Sequence, residues 1–151
     1  MKSITPNNYT VLILPIYLIL FCSITGCKKI ENDTQAPAII VLQPTNNETL
    51  PLGKDFKVVT IMNDFVSLST YRYKVYWFDD PTNVSANPAD PEFNLDKSGT
   101  ITIDDDAPAW EDVSFDITIP NGIRKGYYKL DIYCYDKANN EGKESLLLNF
   151  Q

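Results

Sequence analysis

Acidic side chains are the residues of this sequence whose types and spacing could carry out chemistry. Asp104, Asp105 and Asp106 form a run that Glu111 and Asp112 follow closely. Two carboxyl groups can hydrolyse a glycosidic bond when one is held protonated and the other is ionised. Such a separation of pKa values needs a deep cleft, which a small β-sandwich seldom offers. We therefore interpret the run as a solvated acidic loop and not as a catalytic pair.

Nucleophilic catalysis is disfavoured by the composition. The sequence contains no histidine, which excludes Ser-His-Asp and Cys-His systems and histidine-based zinc sites. Of the three cysteines, Cys134 lies on the apolar side of an alternating segment. It is predicted to be a small core residue and not a nucleophile. We expect no enzymatic activity.

Short alternating segments are the elements that must position these side chains. Apolar residues recur at every second position, and no segment has the 3.6-residue period of a helix. Seven such strands, separated by turns rich in proline and glycine, predict an antiparallel β-sandwich. The predicted strands are residues 38–44, 56–64, 71–78, 100–103, 113–120, 127–136 and 144–150.

Two connections in this pattern are long. Residues 79–98 contain three prolines and show no periodicity, and loops of this length are often functional or mobile. Residues 104–111 form the second connection, which is acidic and carries an exposed tryptophan, Trp110.

The first thirty residues predict export. Lys2 is the only charge before an apolar segment that runs from about residue 11 to residue 21, which is the anatomy of a secretory signal. Ile24-Thr25-Gly26-Cys27 resembles the lipobox of bacterial lipoproteins. The resemblance implies that residues 1–26 are removed, that Cys27 is lipidated, and that residues 27–37 form a tether ahead of a domain at residues 38–151. Lys28, in the position after the lipidated cysteine, favours the outer membrane by the same resemblance.

The mature chain is acidic. Removing residues 1–26 leaves 151 − 26 = 125 residues with 13 − 1 = 12 basic and 20 acidic side chains, a net charge of −8. This balance argues against nucleic acid as a partner. With Cys22 removed and Cys27 acylated, Cys134 has no partner for a disulfide within the chain, so stability must come from packing.

The hairpin at residues 126–143 resembles the last hairpin of immunoglobulin-like and fibronectin-type domains. Tyr128 matches the tyrosine corner of those domains, whose hydroxyl ties a crossing loop to the sheet. Trp77 lies near the position where such domains bury a tryptophan. The resemblance also extends to immunoglobulin-like domains of unknown function on bacterial surface lipoproteins, and it implies an immunoglobulin-like sandwich.

Calcium is the metal that the sequence suggests. The segment ENDTQAP before the first strand resembles the cadherin linker that ends in Asp-Asn-x-Pro. In this topology Asp33, Asp64 and Asp136 lie at one end of the sandwich. Calcium takes six to eight oxygens at about 2.3–2.6 Å, which these carboxylates, Asn32, Asn63 and backbone oxygens could supply. The alternative is that Asp64 and Asp136 only cap turns.

A ligand-binding face is predicted on the neighbouring segments 71–78 and 127–136. A solvated sheet face normally turns polar residues outward, but this one carries Tyr76, Phe78, Tyr127, Tyr133 and Tyr135. Apolar patches usually mark interaction sites, and rings flanked by polar groups suit a sugar or a protein. The alternative is that the 79–98 loop folds across this face and buries it.

Together these features predict a lipid-anchored, non-catalytic binding or scaffold domain at the periplasmic or cell-surface side of the outer membrane. An accessory structural subunit of an outer-membrane complex and a carboxylate-based glycan hydrolase are the alternatives. No cofactor other than calcium is expected.

Overall fold

A computed structural model describes residues 33–102 and 109–151, which lie in a compact unit spanning Asp33–Gln151. These residues form strands and turns without a helix, so no helix among them is long and apolar enough to cross a bilayer. The strands are β1 (Ala38–Gln43), β2 (Glu48–Leu50), β3 (Asp55–Asp64), β4 (Thr70–Trp77), β5 (Leu95–Thr100), β6 (Ala109–Thr118), β7 (Gly126–Tyr135) and β8 (Glu141–Phe150).

Two sheets pack face to face. The three-stranded sheet has the order β1-β3-β6, and the five-stranded sheet has the order β2-β8-β7-β4-β5. Neighbouring strands are antiparallel except β2 and β8, which are parallel. β7 lies between β8 and β4 in the five-stranded sheet, and that sheet faces the β1-β3-β6 sheet. This is the arrangement found in immunoglobulin-like domains. The predicted all-β, immunoglobulin-like sandwich is confirmed.

The core lies between the sheets and follows the alternation of the sequence. Val58 and Met62 of β3 and Leu130 and Ile132 of β7 are fully buried, because every second side chain of a strand points to the same face. Burying one such side chain stabilises the fold by about 1.5–3 kcal/mol. Cys134 is buried in the same row, as its position in the alternation predicts.

The aromatic corner predicted from the 126–143 hairpin is present. Tyr128 is buried, its ring stacks on Phe150 at 4.6 Å between centroids, and Trp77 meets it edge-on at 5.3 Å. The Tyr128 hydroxyl donates a hydrogen bond to the carbonyl oxygen of Arg124 at 2.7 Å. This bond ties the loop before β7 to the sheet, as in a tyrosine corner.

The strand prediction is wrong in three main places. Residues 95–98, assigned to the long loop, belong to β5, while residues 101–102 of the predicted 100–103 strand lie outside it. Arg72 explains the pairing, since its guanidinium binds the Asp96 carboxylate through two nitrogens across β4 and β5. The second error is the omission of β2, whose three residues pair with the end of β8. The third is the start of β6, which begins at Ala109 and not at residue 113, so residues 109–111 of the predicted acidic loop belong to a strand. They pair with the end of β3, which the alternation of their own segment does not indicate.

Candidate functional site

Three aspartates meet at one end of the sandwich, and we call them the aspartate pole. Asp33 precedes β1, Asp64 is the last residue of β3, and Asp136 follows β7. One carboxylate oxygen from each lies within 4.8 Å of those of the other two. The structure therefore brings together the three residues that the sequence assigned to calcium.

Each aspartate of the pole also caps a turn through its side chain, as the alternative interpretation predicted for two of them. Asp64 Oδ2 accepts hydrogen bonds from the backbone nitrogens of Val66 and Ser67 at 2.8 and 2.9 Å. Asp33 Oδ1 accepts one from Gln35 at 3.0 Å, and Asp136 Oδ1 accepts one from Asn140 at 2.8 Å.

Turn capping leaves two oxygens of the pole unused. Asp33 Oδ2 and Asp64 Oδ1 are buried and have no hydrogen-bond partner within residues 33–102 and 109–151. Asp64 is only 6% exposed and Asp136 only 3%. Buried polar groups are hydrogen-bonded in the large majority of cases, so each of these oxygens requires an explanation.

Asn140 connects the segment before β1 to the rest of the pole. Its Nδ2 donates to the carbonyl oxygen of Asp33 at 3.0 Å and to Asp136 Oδ2 at 2.6 Å. Two donors on one amide hold residue 33 beside the β7–β8 turn, although the residues are 107 positions apart in sequence.

The second predicted site lies on the outward face, the side of β4, β5, β7 and β8 that is turned away from the three-stranded sheet. Its centre is Asp131, which is 2% exposed. Asp131 Oδ2 accepts hydrogen bonds from the hydroxyls of Tyr76 (3.0 Å) and Tyr133 (3.2 Å) and lies 2.7 Å from Lys143 Nζ. Ser145 donates to Asp131 Oδ1 at 2.7 Å.

Electrostatics keeps the Asp131 carboxyl ionised. Burial raises its pKa, but the hydrogen bonds from Lys143, Ser145 and Tyr76 lower it by more, so the pKa lies below the ordinary aspartate value. The pKa of Lys143 is raised, mainly because Lys143 donates a hydrogen bond to Asp131. Lys143 Nζ also lies 5.1 Å from the centroid of the Tyr133 ring, within cation–π range.

The remaining three aromatic residues of the prediction lie at the two ends of this face. Phe78 and Tyr127 are neighbours at one end, where the Phe78 nitrogen bonds to the Tyr127 carbonyl and Lys129 lies over the Phe78 ring. At the other end the Tyr135 hydroxyl donates a hydrogen bond to Glu141 at 2.7 Å. This hydrogen bond is the largest of the causes that raise the pKa of Tyr135 to about 12. Charged groups thus contact the central pair, Tyr76 and Tyr133, whereas the other three rings lie at the two ends of the face.

The loop between β4 and β5 is attached to the end of the sandwich opposite the aspartate pole. Asn83 Nδ2 donates to the carbonyl oxygens of Phe78 and Tyr127. Asn87 bonds to the carbonyl of Ile123 and the nitrogen of Lys125. A depression of about 480 Å³ remains on the outward face, lined by Lys74, Val75, Tyr76, Asn94, Leu95, Asp96, Asp131 and Tyr133.

Sequence reasoning included Asp131 among the outward residues but did not find its network. The network is brought together by the register of the strands, which places Asp131 opposite Lys74 on β4 and Ser145 on β8. A carboxylate in the middle of a strand, surrounded by tyrosine, lysine and serine, indicates a buried polar cluster.

The remaining residues that the sequence singled out belong to neither site. Cys27 and the acidic run Asp104–Asp106 lie outside the described residues, whereas Glu111 and Asp112 belong to β6. Trp110 is 62% exposed, as predicted. Burial, and then the nearby carboxylates of Asp64 and Asp136, raise the pKa of the Cys134 thiol to about 12, which is typical of an inert thiol.

Solved structures resemble this chain only distantly. A family 123 glycoside hydrolase from Clostridium perfringens is 14% identical, with a TM-score of 0.43 over 70% of this chain and 22% of that one. PapD-like domain 7 of human CEP192 is 10% identical, with a TM-score of 0.36 over 85% of this chain and 94% of that domain. Murine CRIg is 11% identical, with a TM-score of 0.36 over 78% of this chain and 98% of that one.

Sequence comparison is more decisive. No significant match was found among curated proteins. A sequence family described as a domain of unknown function, DUF4625, matches residues 25–150. This match covers most of the chain, and the protein therefore belongs to the DUF4625 family.

Proposed function

We propose that this protein is a lipid-anchored, non-catalytic binding domain of the bacterial cell envelope, and that it binds a glycan on the outward face. The observation that carries the proposal is the pair of half-buried tyrosines, Tyr76 and Tyr133, whose hydroxyls are both held by the buried carboxylate of Asp131.

The location rests on the amino-terminal sequence. An apolar segment that ends in Ile24-Thr25-Gly26-Cys27 suits cleavage before Cys27 and acylation of its sulfur. Each buried methylene of an acyl chain contributes about 0.8 kcal/mol to membrane binding, and two or more chains hold a protein on a bilayer. Lys28 favours the outer membrane.

A sugar suits the outward face because the two rings are fixed and polar groups surround them. The C–H face of a sugar packs on an aromatic ring, while its hydroxyls form hydrogen bonds with neighbouring side chains. Asn94 and Asp96 border the depression beside Tyr76 and Tyr133. Its volume of about 480 Å³ lies in the ordinary range for small-ligand sites.

A protein partner suits this face less well. The centre of a protein–protein interface is depleted of charged residues, whereas Lys74, Asp96 and Lys143 surround these rings. Desolvating such groups against an apolar protein surface is costly. A hydroxyl-rich ligand can instead replace their water contacts.

The chemistry of the same residues supports a non-catalytic role. Asp131 uses both of its oxygens in hydrogen bonds and stays ionised, so it is unsuited to act as a general acid or as a nucleophile. The thiol of Cys134 is buried, and the sequence has no histidine to serve as a base.

The test is a glycan array that includes bacterial envelope polysaccharides, probed with the purified protein. We expect a defined set of glycans to bind, and Tyr76→Ala and Tyr133→Ala each to weaken binding at least tenfold. Trp110→Ala is the matched control, because it removes an exposed ring from the other sheet and should leave binding unchanged.

Two results would contradict the proposal. One is glycan binding that Tyr76→Ala and Tyr133→Ala do not affect. The other is the absence of any glycan ligand together with stoichiometric co-purification with one membrane protein after mild detergent extraction. That second result would support the alternative, an accessory structural subunit.

A further inference from the structure

We infer that the aspartate pole is a calcium site that fastens the segment before β1 to the body of the sandwich. This inference does not depend on the proposed glycan site, which lies on a different part of the domain. It starts from the two buried oxygens that turn capping leaves unpaired, Asp33 Oδ2 and Asp64 Oδ1.

An unpaired carboxylate oxygen is an expensive group to bury. Removing a polar group from water without a new partner costs stability, and the cost is larger for a charged group. Asp64 is 94% buried, and its unpaired oxygen belongs to a side chain whose other oxygen is already fixed by two backbone donors. A cation between the carboxylates satisfies both unpaired oxygens at once.

The spacing of the oxygens suits calcium. Two ligands on opposite sides of a calcium ion lie about 4.6–5.2 Å apart, twice the usual Ca–O distance, so oxygens that are no farther apart than this can share one ion. The three carboxylates offer oxygens that lie within 4.8 Å of one another. All are hard oxygen donors, the type that calcium prefers, and backbone oxygens and water can complete the coordination.

The turn caps hold the ligands in place before the ion arrives. One oxygen each of Asp33 and Asp64 accepts a hydrogen bond from a backbone nitrogen within three residues, so each side chain has little rotational freedom to lose on binding. Preorganisation of this kind strengthens binding, because less conformational entropy is lost.

The consequence is a clasp between distant parts of the chain. Asp33 belongs to the segment that enters the domain from the proposed lipid anchor. Asp64 ends β3 and Asp136 follows β7, and these strands belong to different sheets. The side chain of Asn140 already provides one hydrogen bond between this segment and the β7–β8 turn. Bound calcium adds a second and stronger attachment for residue 33.

The experiment uses the full-length chain in detergent, stripped with a chelator and then titrated with calcium chloride or magnesium chloride. Calorimetry should give one calcium site per chain and weaker binding of magnesium. Free calcium at about 100 times Kd should raise the Tm by roughly 5–10 °C. Backbone amides of residues 33–38, apart from Pro37, should exchange hydrogen more slowly with calcium present.

Substitutions then locate the site. Asp64→Asn keeps an oxygen for the turn cap but removes the charge, so we expect it to abolish calcium binding and the rise in Tm. Asp80→Asn is the matched control, because Asp80 caps its own turn by accepting a hydrogen bond from the Thr82 nitrogen at 2.8 Å and lies outside the pole. If Asp64→Asn fails to fold, Asp33→Asn replaces it, because Asp33 lies outside the strands.

The inference is overturned if calcium up to millimolar concentration gives neither heat nor a change in Tm. It is equally overturned if Asp64→Asn, or Asp33→Asn in its place, binds calcium as the wild type does. Binding that leaves the exchange of residues 33–38 unchanged would contradict the clasp. Each readout uses calcium alone, so failure of the glycan proposal does not affect it.

Discussion

The hydroxyl of Tyr128 donates a hydrogen bond to the carbonyl oxygen of Arg124, four residues earlier in the chain. The same hydroxyl oxygen accepts a longer hydrogen bond, 3.4 Å, from the backbone nitrogen of Phe93. One buried side chain thus links the loop before β7 with the end of the loop between β4 and β5. The depression on the outward face adjoins residues 94–96, so Tyr128 also supports its border.

Tyr128→Phe tests this link. The ring keeps its contacts with Trp77 and Phe150. The carbonyl oxygen of Arg124 and the backbone nitrogen of Phe93 each lose a hydrogen-bond partner. We expect the free energy of unfolding to fall by about 1–2 kcal/mol, measured by urea denaturation. Tyr127→Phe is the control, because that side chain is 36% exposed and should have little effect. Equal midpoints for Tyr128→Phe and wild type would contradict the corner's role.

Asp131→Asn tests the network of the outward face. The substitution removes a charge that Lys143 and three hydroxyls contact, and we expect a loss of about 1–3 kcal/mol at pH 7. The folded-state pKa of Asp131 is lowered, so its contribution is present above the unfolded value of about 3.9 and is lost as pH falls through the folded value.

The pH dependence supplies an independent readout for this variant. Between about pH 5 and pH 2, stability of the wild type should fall more steeply than stability of Asp131→Asn. Other carboxyls with lowered pKa, such as Asp96, remain in both proteins and cancel in the comparison. Parallel curves from thermal unfolding at each pH would show that Asp131 is not linked to stability in this way.

Cys27→Ser tests the lipid anchor. Without the sulfur no acyl chain can be attached, so the protein should leave the membrane fraction or remain as an uncleaved precursor. Fractionation followed by mass spectrometry distinguishes the two. Cys22→Ser is the control, because Cys22 lies within the proposed signal peptide, and it should leave a mature, membrane-bound protein. A mature-sized, membrane-bound Cys27→Ser protein would refute lipidation at this residue.

Cys134 should be unreactive in the folded protein. It is fully buried, and its pKa is raised to about 12, so almost no thiolate is present at pH 8 and reagents cannot reach it. We expect iodoacetamide to label Cys134 only after denaturation. Labelling of Cys134 under native conditions within minutes would show that this part of the core opens easily.

Gly142→Ala tests the packing of the segment before β1. A Cβ on this buried residue of β8 would collide with the backbone carbonyl of Pro37, and backbone cannot yield as a flexible side chain does. We expect a loss of about 1–3 kcal/mol from overpacking and a smaller response to calcium. Glu144→Ala, an exposed neighbour on β8, is the control. Unchanged unfolding and calcium response would mean that this segment can shift without cost.

The sequence predicted those parts of the fold in which patterning is strong. β3 and β7 alternate over ten residues, and their inward side chains Val58, Met62, Leu130 and Ile132 are buried as expected. β5 could not be found in this way, because in LDKSGT only Leu95 is apolar. Its pairing comes from contacts such as Arg72–Asp96, which link residues 24 apart in sequence.

The two candidate sites also differed in how much of each could be predicted from the sequence. Asp33 precedes β1, Asp64 ends β3 and Asp136 follows β7, so topology alone predicted that they would meet. The network of Asp131 depends on which side chains face one another across three strands. That register is set by packing over the whole sheet, and the alternation of a single strand does not contain it.

The edge strands of the two sheets have a consequence for association between molecules. An uncovered strand edge is a template for pairing with another chain, and in the described sandwich β1, β2, β5 and β6 form the edges. β2 has three residues, and β1 is bounded by Pro37 and Pro44. β5 carries Asp96 and Lys97, and β6 carries Glu111, Asp112 and Asp116. Short, proline-bounded and charged edges all disfavour intermolecular pairing. Even at high local concentration, molecules of this protein are therefore expected to remain separate and not to polymerise through these strands.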